Sequence, residues 1–169
     1  MTADGQLERI EHRSRLHFVR ELAHPPERVW RAITEPEHLA VWFPQDIVGE
    51  RVAGAPLRFV SRDDEPFEFA GEMVVVDAPH VLEFLWGDDR LRFELEATPA
   101  GTRLTLTDTF TEHGKAARDG AGWHECLDRL ADVLDGRAPR WGWGERWAEV
   151  HDEYVTRFGP DAATVGPPG

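Results

Sequence analysis

Between His24 and Pro44 the chain reads HPPERVWRAITEPEHLAVWFP, and its prolines fix where helices can begin. Pro25 and Pro26 head one helical turn and Pro36 heads a second. A missing N–H costs nothing there, because the first amides of a helix have no internal partner. Thr34 followed by Glu37 has the spacing of a capping box, so a second short helix is expected to start at this point, and Pro44 ends it. The pair delivers Trp30, Trp42 and Phe43 to one side. It follows directly on an alternating run, Leu16, Phe18, Arg20 and Leu22 against His17, Val19 and Glu21, which predicts a first strand.

From Ile47 to Phe110 the pattern is strand after strand. Leu57 and Phe59 alternate, then Phe67, Phe69, Gly71, Met73 and Val75, then Leu82, Phe84 and Trp86. Leu91, Phe93 and Leu95 follow, and finally Leu104, Leu106, Asp108 and Phe110. Gly87-Asp88-Asp89 and Pro99-Ala100-Gly101 are turn clusters of the kind antiparallel hairpins need. Gly71 inside a strand predicts a bulge or sharp bend. The period then becomes helical, with Trp123, Leu127, Leu130 and Leu134 on one stripe. Gly120 and Gly122 predict either a late helix start or a close approach of backbone to the sheet. Trp143, Trp147, Val150 and Tyr154 form a second stripe.

Antiparallel strands with segregated helices make an α+β fold. The expectation is a helix-grip: a curved antiparallel sheet of about six to seven strands around a long C-terminal helix. Two short helices follow the first strand, and an extra helix ends the chain. With 169 residues one domain is expected over 14–158, its core over 14–135 and a helical extension over 137–158. Residues 1–13 and 159–169 are expected to be flexible.

Asp and Glu outnumber Lys and Arg by 32 to 19, a net charge of −13 that repels phosphate backbones and anionic membranes. No nucleic-acid partner is expected, and no run is apolar enough for membrane insertion. The lone Cys126 excludes an internal disulfide, and the charged first residues lack a signal sequence, so the chain reads as cytoplasmic.

Five motifs then fall in order. Arg20, Pro25, Val29, Trp30, Thr34, Pro36, Trp42 and Phe43 make the first. GEMVVVDAP at 71–79, LEFLW at 82–86, GTRLTLT at 101–107 and GWHECLDRL at 122–130 make the others. Together they resemble the bacterial branch of the START-like, or SRPBCC, superfamily named after the C-terminal domain of the activator of heat-shock protein 90 ATPase. The likeness spans roughly residues 14–135. It implies a cavity between helix and sheet, an architecture similar to lipid-transfer domains, polyketide cyclases and plant pollen allergens. The chaperone activator itself also carries an N-terminal chaperone-binding domain with no counterpart in this sequence, which leaves a chaperone partner doubtful.

Trp42, Phe59, Phe69, Met73, Phe84, Trp86, Phe93, Asp108, Phe110, Trp123 and Leu127 fall on faces expected to point between sheet and helix. They are candidates for the lining of a cavity, or for a packed core. Arg20 and Asp108 break apolar alternation in the inward register, and an Arg20–Asp108 pair is a candidate polar anchor for a ligand head group. The eight histidines show no metal-ligand spacing, and no nucleophile elbow or phosphate loop is present, so neither metal nor cofactor is expected. The expected function is binding of a hydrophobic or amphipathic small molecule. A cyclase- or hydratase-like enzyme with Asp108, His113 or Glu72 as acid or base is one alternative. A protein-interaction module is the other. RAPRWGWGERW at 137–147 either packs the last helix or offers an aromatic patch to a partner or a second copy.

Overall fold

Alternating burial along the strands and a continuous stripe along one long helix decide the architecture. The computed structural model describes residues 2–167. Two strands, β1 (Gln6–Ile10) and β2 (Arg13–Leu22), precede the proline-led helices α1 (Pro26–Thr34) and α2 (Pro36–Trp42). Six more follow: β3 (Asp46–Val48), β4 (Pro56–Val60), β5 (Glu68–Asp77), β6 (Val81–Trp86), β7 (Asp89–Thr98) and β8 (Gly101–Phe110). The long helix α3 (Ala116–Leu134) and a last helix α4 (Glu145–Phe158) complete the chain, with short 3-10 turns at His113–Lys115 and Pro160–Ala162. All strand pairs are antiparallel, in the order β1-β2-β8-β7-β6-β5-β4-β3. This is the expected α+β helix-grip, with eight strands rather than six or seven.

The strands beyond the six alternating runs are the two edges, the three-residue β3 and β1, whose QLERI sequence shows no apolar alternation because all of it except Leu7 is exposed. The segment before it is held by the end of the chain. Glu153 accepts hydrogen bonds from the amides of Thr2 and Ala3, and Tyr154 Oη accepts one from Gly5. Asp4 reaches Arg20 at 2.7 Å and His124 at 3.3 Å. Burial alone would raise its carboxyl, but the His124 bond and the Arg20 charge prevail and hold it down at about 2.

The proline signals hold for both short helices, each with proline at its head. The capping box does not form. Glu35 in extended backbone both ends α1 and precedes α2, and Thr34 Oγ1 instead donates to the carbonyl of Trp30 at 2.7 Å. The helix α3 starts at Ala116, upstream of both glycines. Gly120 does mark a close approach, but to α4 and not to the sheet, since a Cβ there would lie 3.1 Å from Phe158 and 3.3 Å from Tyr154.

Inward side chains of β2 and β4–β8 meet α2 and α3 in one apolar core that includes Leu16, Phe18, Trp42, Phe59, Phe84, Phe93, Leu127 and Leu130. Each such side chain contributes about 2 kcal/mol on burial. The bulge in β5 falls between Met73 and Val75, two residues past the expected glycine. Gly71 serves a different need: a Cβ there would stand 2.0 Å from the carbonyl oxygen of Leu85 and 2.5 Å from the Phe59 ring. Gly71→Ala is expected to destabilise the protein by about 3 kcal/mol, measured as a fall in the urea midpoint with unchanged slope.

Candidate functional site

At the mouth of the grip, where β5 and β6 face the first half of α3, lies an open pocket of about 740 Å3. Phe67, Phe69 and Trp86 come from the sheet side, Gly122 and Trp123 from α3, and Trp143 and Trp147 from the start of α4. Asp63, Asp119, Glu125 and Arg118 supply its charged groups.

Of the residues expected to line a cavity, Phe69, Trp86 and Trp123 reach this pocket. Trp42, Phe59, Met73, Phe84, Phe93, Phe110 and Leu127 lie deeper, in the buried core. There the rings pack against one another, Phe43 against Phe84 at 6.1 Å and Phe59 against Phe84 at 5.7 Å. Trp86 and Trp123 close this packing from above, edge to face at 5.3 Å. Open space therefore begins at the outer side of these two indoles.

The expected Arg20–Asp108 pair does not form. In the β2–β8 register Arg20 stands opposite Leu104 and Asp108 opposite Leu16. That offset of four residues separates them by about 13 Å along the strands. Arg20 instead pairs with Asp4 and, at 2.8 Å, with Asp128. Asp108 is wholly buried and accepts a hydrogen bond from Trp123 Nε1 at 3.0 Å.

Around Asp108 stands a group that the sequence did not reveal. The carboxylates of Asp89, Asp108 and Asp119 lie within 4.8 Å of one another. Lys115 Nζ donates to both oxygens of Asp89, at 2.7 and 2.8 Å, and lies 3.6 Å from Asp119. Its ammonium thus supplies a positive charge to two of the three carboxylates. Burial, and then the charges of Asp89 and Asp119, drive the Asp108 carboxyl well above the usual carboxylate range. A proton on Asp108 also resolves its bonding, since Oδ1 has no partner among the described residues. As a neutral acid it can donate to a neighbouring carboxylate while Oδ2 accepts from the indole. One signal for Asp89 was present: the inward series Leu95, Phe93, Leu91 extrapolates to it, past the apparent turn.

The two other acid–base candidates lie apart from the pocket. His113 is bonded to Ser14 at 2.6 Å, and Glu72 is exposed on β5. Glu125, unmarked in the sequence, is 5% exposed, and its Oε1 accepts from the amides of Gly144 and Trp147. It thereby caps α4 from across the pocket. Burial raises its carboxyl above the ordinary value, although these amides and Arg129 oppose the shift. The tryptophan-rich segment divides. Trp147 donates to the carbonyl of Arg118 at 2.9 Å, and Trp141 lies beneath Arg140 and Arg146, whereas Trp143 is 47% exposed with Arg129 over its ring at 3.9 Å.

The family model described as Activator of Hsp90 ATPase homolog 1-like protein matches residues 23–135, from the end of β2 to the end of α3. The chain belongs to that family. No curated protein matches it in sequence. Among solved structures, a conserved protein of unknown function from Enterococcus faecalis is 22% identical, with a TM-score of 0.74 over 90% of this chain and 89% of that one. A protein from Bordetella parapertussis is 26% identical, with a TM-score of 0.68 over 92% of each chain. The AHSA1-like protein from Aeromonas hydrophila is 22% identical, with a TM-score of 0.60 over 72% of this chain and 92% of that one. These likenesses establish the fold. Among the described residues no helix is long and apolar enough to cross a membrane.

Because folding raises the affinity of Asp108 for a proton, the wild type loses stability as pH rises from 3.8 toward the folded-state value. Asp108→Asn fixes the neutral form. Its urea stability is expected to equal or exceed the wild type at pH 8, with the difference shrinking at pH 5. Asp108→Ala strands the indole N–H and is expected to be about 2 kcal/mol less stable than Asp108→Asn at both pH values.

Proposed function

We propose that this protein binds an amphipathic small molecule in the pocket at the mouth of the grip. The observation that carries this function is an open pocket of about 740 Å3 walled by Phe67, Phe69, Trp86, Trp123, Trp143 and Trp147. Its size falls in the range of about 300–1,000 Å3 that holds small ligands. Aromatic walls suit an apolar body, and charged groups along the rim suit a polar end.

Gly122 adds support. It lies inside α3, where glycine costs about 1 kcal/mol relative to alanine, yet a Cβ there would meet nothing within 4 Å. Packing therefore does not require the glycine, and what its missing side chain leaves free is the pocket it lines. Catalysis has less support, since Asp108 has no exposed surface and stands behind the Trp123 indole. A cytoplasmic setting fits the buried, unpaired Cys126.

A neutral solvatochromic naphthalene probe, prodan, tests the function by fluorescence titration. Wild type is expected to give a saturable blue-shifted signal. Gly122→Ala is expected to keep binding and gain about 1 kcal/mol of stability. Gly122→Leu is expected to lose at least about tenfold in affinity with no fall in melting temperature, because its side chain enters the pocket. Equal binding by Gly122→Leu and wild type would place the site elsewhere.

A further inference from the structure

Each charged group of the pocket except one has an evident means of compensation. Asp119 is paired with Arg118 at 2.8 Å and with Lys115 at 3.6 Å, and Asp63 is exposed to water. Glu125 is different. The residue is 5% exposed and forms no ion pair with any described residue; its carboxylate faces the amides at the start of α4, those of Gly144, Trp147 and Arg146, while Oε2 keeps accessible surface on the pocket. Arg129 contributes some compensating charge but spends Nε on the carbonyl of Val41 and Nη1 on that of Trp141.

A buried carboxylate without a counter-ion is costly, and proteins retain one where it is paired or performs a task. Here the unpaired carboxylate lines the same pocket as Trp123, Trp143 and Trp147. Indole faces attract organic cations through the negative face of the ring, most strongly where water is excluded. The neighbouring rings already bind cations in this way, with Arg129 over Trp143 at 3.9 Å and Arg146 over Trp141 at 4.8 Å.

We infer that the ligand of this pocket is an organic cation, a quaternary or protonated ammonium on an apolar body, with Glu125 as its counter-ion and Trp143 and Trp147 as flanking rings. The inference rests on the binding function proposed above and specifies its ligand class. Oε1 of Glu125 holds the start of α4 in place, while Oε2 remains for the ammonium group. The amino end of α4 offsets part of the carboxylate charge through its dipole, and so do the two amides that bond Oε1. An anionic amphiphile would meet Asp63, Asp119 and Glu125 against the single Arg118, so it is disfavoured.

The test is calorimetric titration at physiological ionic strength with three probes that share one ring system: (naphthalen-2-ylmethyl)trimethylammonium, 2-(naphthalen-2-yl)ethanol and naphthalen-2-ylacetate. Wild type is expected to bind the ammonium at least about tenfold more tightly than the alcohol, and the acetate most weakly. Glu125→Gln keeps an acceptor for Gly144 and Trp147. It is expected to bring ammonium and alcohol within about twofold. Glu50→Gln, at an exposed position that does not line the pocket, makes the same change in net charge and is expected to retain the preference. Trp143→Leu, at the exposed rim, is expected to lose about threefold in ammonium affinity alone, which keeps the test informative if Glu125→Gln is unstable. Equal binding of ammonium and alcohol by wild type, or a preference that survives Glu125→Gln, overturns the cation inference and leaves the binding function standing. Refusal of the alcohol as well as the ammonium by wild type overturns both.

Discussion

The bond between Trp123 Nε1 and Asp108 Oδ2 ties the long helix to the sheet through two buried polar groups. β8 lies between β2 and β7, so this contact anchors α3 to the best-supported part of the sheet. It also sets the plane of the Trp123 indole, and through it the edge-to-face contact with Trp86 and the tilted contact with Phe43 that divide core from pocket. A bond with that duty needs an acceptor deep among carboxylates. The structure supplies one by burial that favours the protonated form of Asp108 and by placing Lys115 beside Asp89. An apolar residue at 108 would leave the indole N–H unbonded, and a second lysine would leave a cation unmatched.

Much of the frame was legible because its causes are local. Proline position marked both short helices, and alternation marked the inward faces of β2 and β4–β8. β1 escaped notice because both of its faces are largely in water, so no apolar alternation is needed there. Gly120 and Gly122 leave the start of α3 undecided within the sequence because glycine weakens helix propensity, whereas close contact with α4 and an open pocket wall account for them. The Arg20–Asp108 pair was mistaken for a different reason. Two residues can share an inward face and still be separated by register, and register depends on the partner strand.

The candidate site was legible only in part. Phe69, Trp86 and Trp123 were identifiable because they occupy inward positions of elements with clear periodicity. Glu125 and Asp119 stand off the apolar stripe of α3, on a flank that is buried only because α4 and the loop before it cover that side. No pattern within α3 alone could reveal which of its many acidic residues lose their water. The same holds for Lys115, whose place among three aspartates results from a turn between β8 and α3.

The helix α4 lies beyond the part of the chain that defines the family, and the residues pinned to it near the other end, Thr2 to Gly5, lie before that part. Trp143, Gly144 and Trp147 thus form a pocket wall built outside the shared domain and braced by the opening residues of the chain. Such a construction separates two evolutionary pressures. The grip must conserve its packing to fold, whereas the wall at Trp143 and Gly144 lies ahead of the α4 residues Val150 and Tyr154 that enter the core, and can change without replacing them. Relatives with the same grip could therefore diverge in what they accept by changing their termini alone.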